Sequence, residues 1–488
     1  MTDQPSAETD QISLRPNSVG LVGLTVLGAV MMSPAMGVYG TWAPMEGLVG
    51  QIVPLVFLAA LVISLPNAIS YVIVNREMPS AGSAFAWTWR TSSPVGALLI
   101  GLVMATYYIT QVILQPLLFG LFFNDLLGVL GVRTGISTLL LGGALVTIAV
   151  CVLTYRGIQA STRSAVIFVV VETGVLLALC ATILVSKAGH HQLSLSPFLA
   201  SHGTGGLSAF WAAVLLGILS FTGFDVISTI AEEAEAPRRL LPRATFLAVT
   251  IVGLVWAFAT WAFSLSEPVA TVAKYNAAGL TAVTPMGRDY WGWGRVLIII
   301  TALTALTAIY VATVLGASRV IYAIARQGLL PKAFSRLHPR SRVPHHAMTL
   351  VYAVSLLGAG AVLLVMHNGI DAFVWWSETV VFFALVLYSA VNLANLLYFA
   401  KIAPDRRSWL TNALLPVVGI ALNIYVIYRS FLTSLWGSGF RLGQSVVVAC
   451  FALLALFIAY TIAVRMRCGD RFRQDLLEPE MATDDIDR

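Results

Sequence analysis

The chain has 488 residues, of which 58% are hydrophobic and 11% charged, with a formal net charge of +6. Soluble domains carry about 25% charged residues, so this composition excludes a soluble enzyme or binding module and indicates a polytopic membrane protein. The four cysteines have no metal-ligand spacing, and neither a metal, a disulfide nor a cofactor is expected.

Residues 1–17 are polar and lack the basic start and cleavage site of a signal peptide, so they read as a cytoplasmic N-terminal tail. A helix needs about 20 apolar residues to cross a bilayer. Twelve such stretches follow, near 18–43, 50–75, 94–123, 136–155, 164–186, 207–231, 241–266, 290–324, 346–366, 371–400, 408–433 and 442–466. They group as five helices in 18–186, five in 207–400, helices 11 and 12 in 408–466, and a cytoplasmic C-terminal tail in 467–488. With the N-terminus inside, all but seven of the 29 Lys and Arg fall on cytoplasmic segments, which puts both termini in the cytoplasm. The net positive charge then reflects topology and the anionic inner leaflet rather than nucleic acid.

In chain order, the first anomaly is Ser33-Pro34-Ala35-Met36-Gly37, breaker chemistry in the middle of the first helix. Glu172 follows in the fifth helix. The sixth is interrupted by Ser220, Thr222, Gly223 and Asp225, and leaves the membrane through Glu232, Glu233, Pro237, Arg238 and Arg239. Ion pairing of the two glutamates with Arg238, Arg239 and Arg243 is a candidate inner gate, although exposed pairs contribute little. Glu378 lies in the tenth helix beside Trp375 and Trp376. Tyr107, Tyr108, Gln111 and Tyr310 are candidate pocket residues, although aromatics at helical spacing also serve packing.

A broken helix in a bilayer is tolerated only where its freed backbone groups meet protein or line a cavity. Breaks in helices one and six are equivalent positions of two five-helix repeats, inverted because each holds an odd number of helices. Carboxylates in membrane helices are functional by default. With no Lys or Arg at comparable depth, Glu172, Asp225 and Glu378 are expected to take up and release protons, and the all-negative interior weakly favours cationic substrates.

Four stretches carry a resemblance to a known family. They are Phe221-Thr222-Gly223-Phe224-Asp225 through Pro242, Arg76-Glu77-Met78-Pro79 through Gly96, Gly316-Ala317-Ser318-Arg319 through Pro344, and Arg156-Gly157 through Arg163. In order and content they resemble the APC (amino acid–polyamine–organocation) superfamily of secondary transporters. The resemblance implies an all-α fold with discontinuous helices 1 and 6, two extra C-terminal helices, and alternating access to a site between the breaks. By motif position it implies a substrate site bordered by Ser33, Ala35, Met36 and Gly37 on one side. Leu219, Ser220, Phe221, Thr222 and Gly223 would border the other.

Family members carry a glycine-rich break in helix one, whereas here Pro34 removes one N–H that would hold a substrate carboxylate. Glu172 falls where some proton-coupled relatives carry a lysine. Glu172, Asp225 and Glu378 are therefore the coupling and gating candidates. The function implied is import of an amino acid or related organic amine across the plasma membrane with protons. A polyamine importer, an amino acid exchanger and a non-transporting amino-acid sensor are the alternatives. A membrane-embedded enzyme is disfavoured because no HExxH or GxSxG motif occurs in a helix. The small-molecule substrate's identity and the oligomeric state are not legible.

Overall fold

The computed structural model describes residues 19–155, 158–266, 275, 278–339, 341–437 and 442–468. Twelve helical spans among them are long and apolar enough to cross a membrane, and no strand occurs among the described residues, as the fold class expected. The tail expected at 1–17, all but the first two residues of the tail expected at 467–488, and the Arg156-Gly157 pair lie outside the described residues; 467 and 468 continue the last helix.

Span 1 consists of Leu21–Met32 and Met36–Tyr39, and span 6 of Gly206–Phe221 and Val226–Thr229; both are interrupted in mid-course. The other spans that matter here are span 2 (Val53–Glu77), span 3 (Pro94–Val129), span 5 (Ile158–Gly189), span 7 (Pro237–Ser264), span 8 (Arg295–Arg326) and span 10 (Gly369–Lys401). Span 11 (Leu410–Leu435) begins and ends in π-helical turns, and span 12 is Gly443–Cys468. In the broken spans 1 and 6, 67% and 72% of the most apolar stretch is buried, against 33% or less in spans 4 (Ile136–Tyr155), 5, 9 (His345–Met366), 11 and 12. The broken helices therefore sit inside the bundle, and the other five spans turn apolar side chains outward to lipid.

Since lipid is as apolar as leucine, burial alone does not hold membrane helices together; close packing and interhelical hydrogen bonds do. A seam of amides supplies such bonds. The Nδ2 of Asn67 donates to Asn423 Oδ1 at 3.0 Å, and Asn423 Nδ2 returns a bond to Asn67 Oδ1 at 3.0 Å. Asn392 Nδ2 reaches Asn67 Oδ1 at 2.7 Å, and Ser70 Oγ donates to Asn392 Oδ1 at 2.7 Å. Asn412 continues the seam to Asn395 Oδ1 at 3.1 Å. Spans 2, 10 and 11 are thus tied by buried polar side chains whose partners are one another.

Candidate functional site

The first break is built by Ser33 and Pro34. Pro34 has no N–H to continue the helical ladder. Ser33 turns to φ +45°, in the left-handed region. Such a conformation costs roughly 1–2 kcal/mol for a residue with a Cβ. It is held by local bonds: Ser33 Oγ accepts the Met36 N–H at 3.1 Å and donates to Glu172 Oε1 of span 5 at 3.0 Å. The carbonyls of Ser33 and Pro34 accept the Trp256 indole N–H of span 7, at 3.4 and 3.1 Å. Gly37 packs flat against that indole, where a Cβ would overlap the ring.

The second break turns on Gly223, at φ +106°. Only glycine takes this conformation without strain, and a Cβ would also lie 2.9 Å from Met31 of span 1. The freed Gly223 N–H points to the Tyr388 hydroxyl of span 10 at 3.4 Å. Asp225, just beyond, accepts three phenol hydroxyls: Tyr107 at 2.9 Å and Tyr388 at 3.0 Å on Oδ1, and Tyr108 at 2.7 Å on Oδ2. The acid was expected to be unpaired because no base lies at its depth. Neutral donors from spans 3 and 10 satisfy it instead, and one buried carboxylate fastens the unwound turn to two helices.

Between the breaks lies a cavity of about 90 Å³. Of the residues expected to border the substrate, Met36, Gly37, Leu219, Ser220 and Thr222 line it. Ser33 is spent on Glu172, Ala35 is fully buried, Phe221 packs edge-on against Trp256 at 4.8 Å, and Gly223 faces Tyr388. Gln111 and Gln115 line the cavity from span 3, and Thr41 from beyond span 1. Tyr107 and Tyr108 serve Asp225, while Tyr310 donates to Ser355 at 2.6 Å. No acid among the described residues lines this cavity. The weak preference for cationic cargo was read from an all-negative interior; two of those acids are turned away from this cavity, Glu172 behind Ser33 and Asp225 enclosed by tyrosines.

Glu378 is buried in a separate cavity of about 510 Å³, which shares Gly40, Thr41 and Phe373 with the first. Glu46, on the short helix Trp42–Val49 after span 1, is a buried carboxylate that sequence reasoning missed, because it falls between two apolar runs. Neither of its oxygens has a hydrogen-bond partner among the described residues.

Where spans 1 and 6 leave the bundle at their shared end, the chain is stitched. Val19 N–H donates to the Glu233 carbonyl at 3.1 Å, and Glu235 N–H donates to the Val19 carbonyl at 3.0 Å. The Glu233 side chain accepts Arg319 Nε of span 8 at 2.6 Å, with both side chains no more than 3% exposed. Glu232 pairs with Arg326 at 3.4 Å. The sequence looked for the partners of both glutamates in the adjacent Arg238, Arg239 and Arg243, not in the eighth helix. Arg319 is instead a buried residue of span 8, and a partner 86 positions away leaves no local signal.

A bundle with twelve spans among the described residues and two interrupted helices facing one cavity has the architecture of a secondary transporter. The sequence profile described as "Amino acid permease" matches residues 21–463. The chain belongs to this family, within the APC superfamily, and is a transporter. It is 26% identical over 407 residues to the low-affinity putrescine importer PlaP of Escherichia coli K12, covering 82% of this chain and 84% of the relative. The branched-chain amino acid permease BcaP of Bacillus subtilis is 25% identical over 370 residues, 73% of this chain and 77% of the relative. Cationic amino acid transporter 4 of Mus musculus is 25% identical over 396 residues, 76% of this chain and 58% of the relative.

Proposed function

We propose that this transporter imports a small amino acid with an uncharged, apolar side chain across the plasma membrane, by alternating access and together with a proton. The observation that carries the reading is the lining of the central cavity. Met31, Met36, Leu219 and Ile309 supply apolar walls, Gln111, Ser220 and Thr222 supply neutral polar groups, and no charged side chain among the described residues lines it. A diamine requires acids to replace the water around two ammonium groups, and their absence from the lining argues against one. Backbone groups at the breaks receive a zwitterion instead: half-helix N-termini favour its carboxylate and C-terminal ends its ammonium. Pro34 narrows the first set by one donor.

Glu172 is the coupling group in this reading. It bonds Ser33 at the first break, so a proton on Glu172 changes the bond that holds that break. Ser33 and Ala35 act on the substrate through the shape of that break, and Phe221 and Gly223 through the shape of the second. Asp225 gates by fastening the second break, and both termini lie in the cytoplasm.

A second reading, a putrescine carrier, is favoured by the name of one relative. Proteoliposome uptake of radiolabelled leucine and putrescine, driven by an acid exterior, decides between them. Leucine is expected to accumulate and putrescine is not; the reverse overturns the cargo. In the same assay Glu172→Gln is expected to lose pH-driven accumulation while retaining leucine exchange. Unchanged pH-driven accumulation in that variant overturns the coupling role.

A further inference from the structure

The Glu378 cavity is too large and too polar at one point to be a packing defect. Its volume of about 510 Å³ falls within the roughly 300–1,000 Å³ typical of small-molecule sites. It lies between the outer half of span 10, the start of span 6, the end of span 11 and the turn after span 1. Phe373, Val374, Ser377 and Glu378 line it at helical spacing, so one face of span 10 is turned to it. Leu215, Leu216 and Leu280 supply apolar walls. Glu378 is 6% exposed, and its Oε2 has no hydrogen-bond partner among the described residues. No other charged side chain lines the cavity among those residues.

A chamber with leucine and phenylalanine walls, Ser and Thr hydroxyls, one carboxylate and, among the described residues, no cation is complementary to one class of molecule. We propose that it binds an organic monoamine, a compact apolar body ending in an ammonium group, with Glu378 as the counter-ion. The ammonium supplies the partner that the fold withholds from this acid, and the leucines and Phe373 remove the apolar body from water. The amino acid cargo fits poorly, since the Glu378 carboxylate repels its own and no cation among the described residues offsets that repulsion. Gly40, Thr41 and Phe373 are walls of both cavities, so an occupant here abuts the central site and restrains the turn after span 1. The site is thus a second, inhibitory one, and Glu378 moves from a gating candidate to a ligand-binding residue.

The test is isothermal titration of 2-phenylethylamine into the full chain in lipid nanodiscs. Glu378→Gln keeps the shape of the side chain and removes its charge; affinity is expected to fall at least tenfold. Ala212→Trp fills the chamber from span 6 with Glu378 intact and is expected to abolish the same binding. The neutral isostere 2-phenylethanol is expected to bind wild type at least tenfold more weakly than the amine. Equal amine affinity in wild type and both variants places the amine in the central pocket or nowhere and overturns the proposal. So does 2-phenylethanol binding as tightly as the amine. Equilibrium binding is read independently of uptake, so failure here and failure of the cargo assignment are distinguishable.

Discussion

Three tyrosine hydroxyls anchor the Asp225 carboxylate, and Tyr388 is the residue on which that anchorage turns. Its hydroxyl donates to Asp225 and receives the Gly223 N–H, so it holds both sides of the helix-six break. It does not line the central cavity. Tyr388→Phe keeps the ring contacts with Tyr71 and Phe224 and deletes these two bonds. A hydrogen bond to a charged group contributes about 1.5–3 kcal/mol, so the break loses a large part of what fixes it. The expected outcome is a fall of at least tenfold in maximal uptake rate with little change in the concentration giving half-maximal uptake. A changed half-saturation at full rate would instead make Tyr388 a substrate contact. Gly223 is the more severe site: Gly223→Ala combines a disfavoured φ with a clash against Met31, and a loss of folded yield on size exclusion is expected.

At the level of elements, the asparagine seam and the two breaks divide the work. The seam joins spans 2, 10 and 11 through bonds that do not depend on the cargo site. Asn392 is its centre, bonded to Asn67 and Ser70 and capping the Tyr388 carbonyl. Interhelical side-chain bonds in membranes contribute roughly 0.6–2 kcal/mol, so Asn392→Ala is expected to lower the melting temperature measurably in detergent. Asn124→Ala, which loses one exposed bond to the Gly135 carbonyl, is expected to leave it unchanged. The two breaks were legible from sequence because proline and glycine act locally: Pro34 lacks a donor wherever it stands, and Gly223 permits a positive φ. Their supports were not. Tyr388 is 163 residues from Asp225 and Trp256 is 222 from Pro34, and along the chain both read as ordinary packing aromatics. Glu172 was legible as an acid in an apolar run, but its link to Ser33, 139 residues away, was not.

For the molecule as a whole, the decisive contrast is between its two ends. At the end where spans 1 and 6 meet span 8, the Val19 backbone bonds, the buried Glu233–Arg319 pair and the Glu232–Arg326 pair converge. At the other end the bundle holds the large Glu378 chamber. An alternating-access cycle requires the first end to open, and opening it exposes Arg319 and Glu233 to water. The pair therefore stabilises the closed arrangement specifically, and its removal biases the molecule toward the open one. Truncating one member of a buried ion pair costs about 3–5 kcal/mol, while a shift of only about 1.4 kcal/mol changes a population tenfold. Arg319→Gln is thus expected to make a cysteine at Ser228, buried one turn inside the seal, react at least tenfold faster with a water-soluble maleimide in a background free of the native cysteines. Glu233→Gln in the same chain, which removes the buried charge left behind, is expected to restore melting temperature in part but not the slow labelling. Labelling that stays slow in Arg319→Gln would mean that the pair holds the fold without closing the pathway.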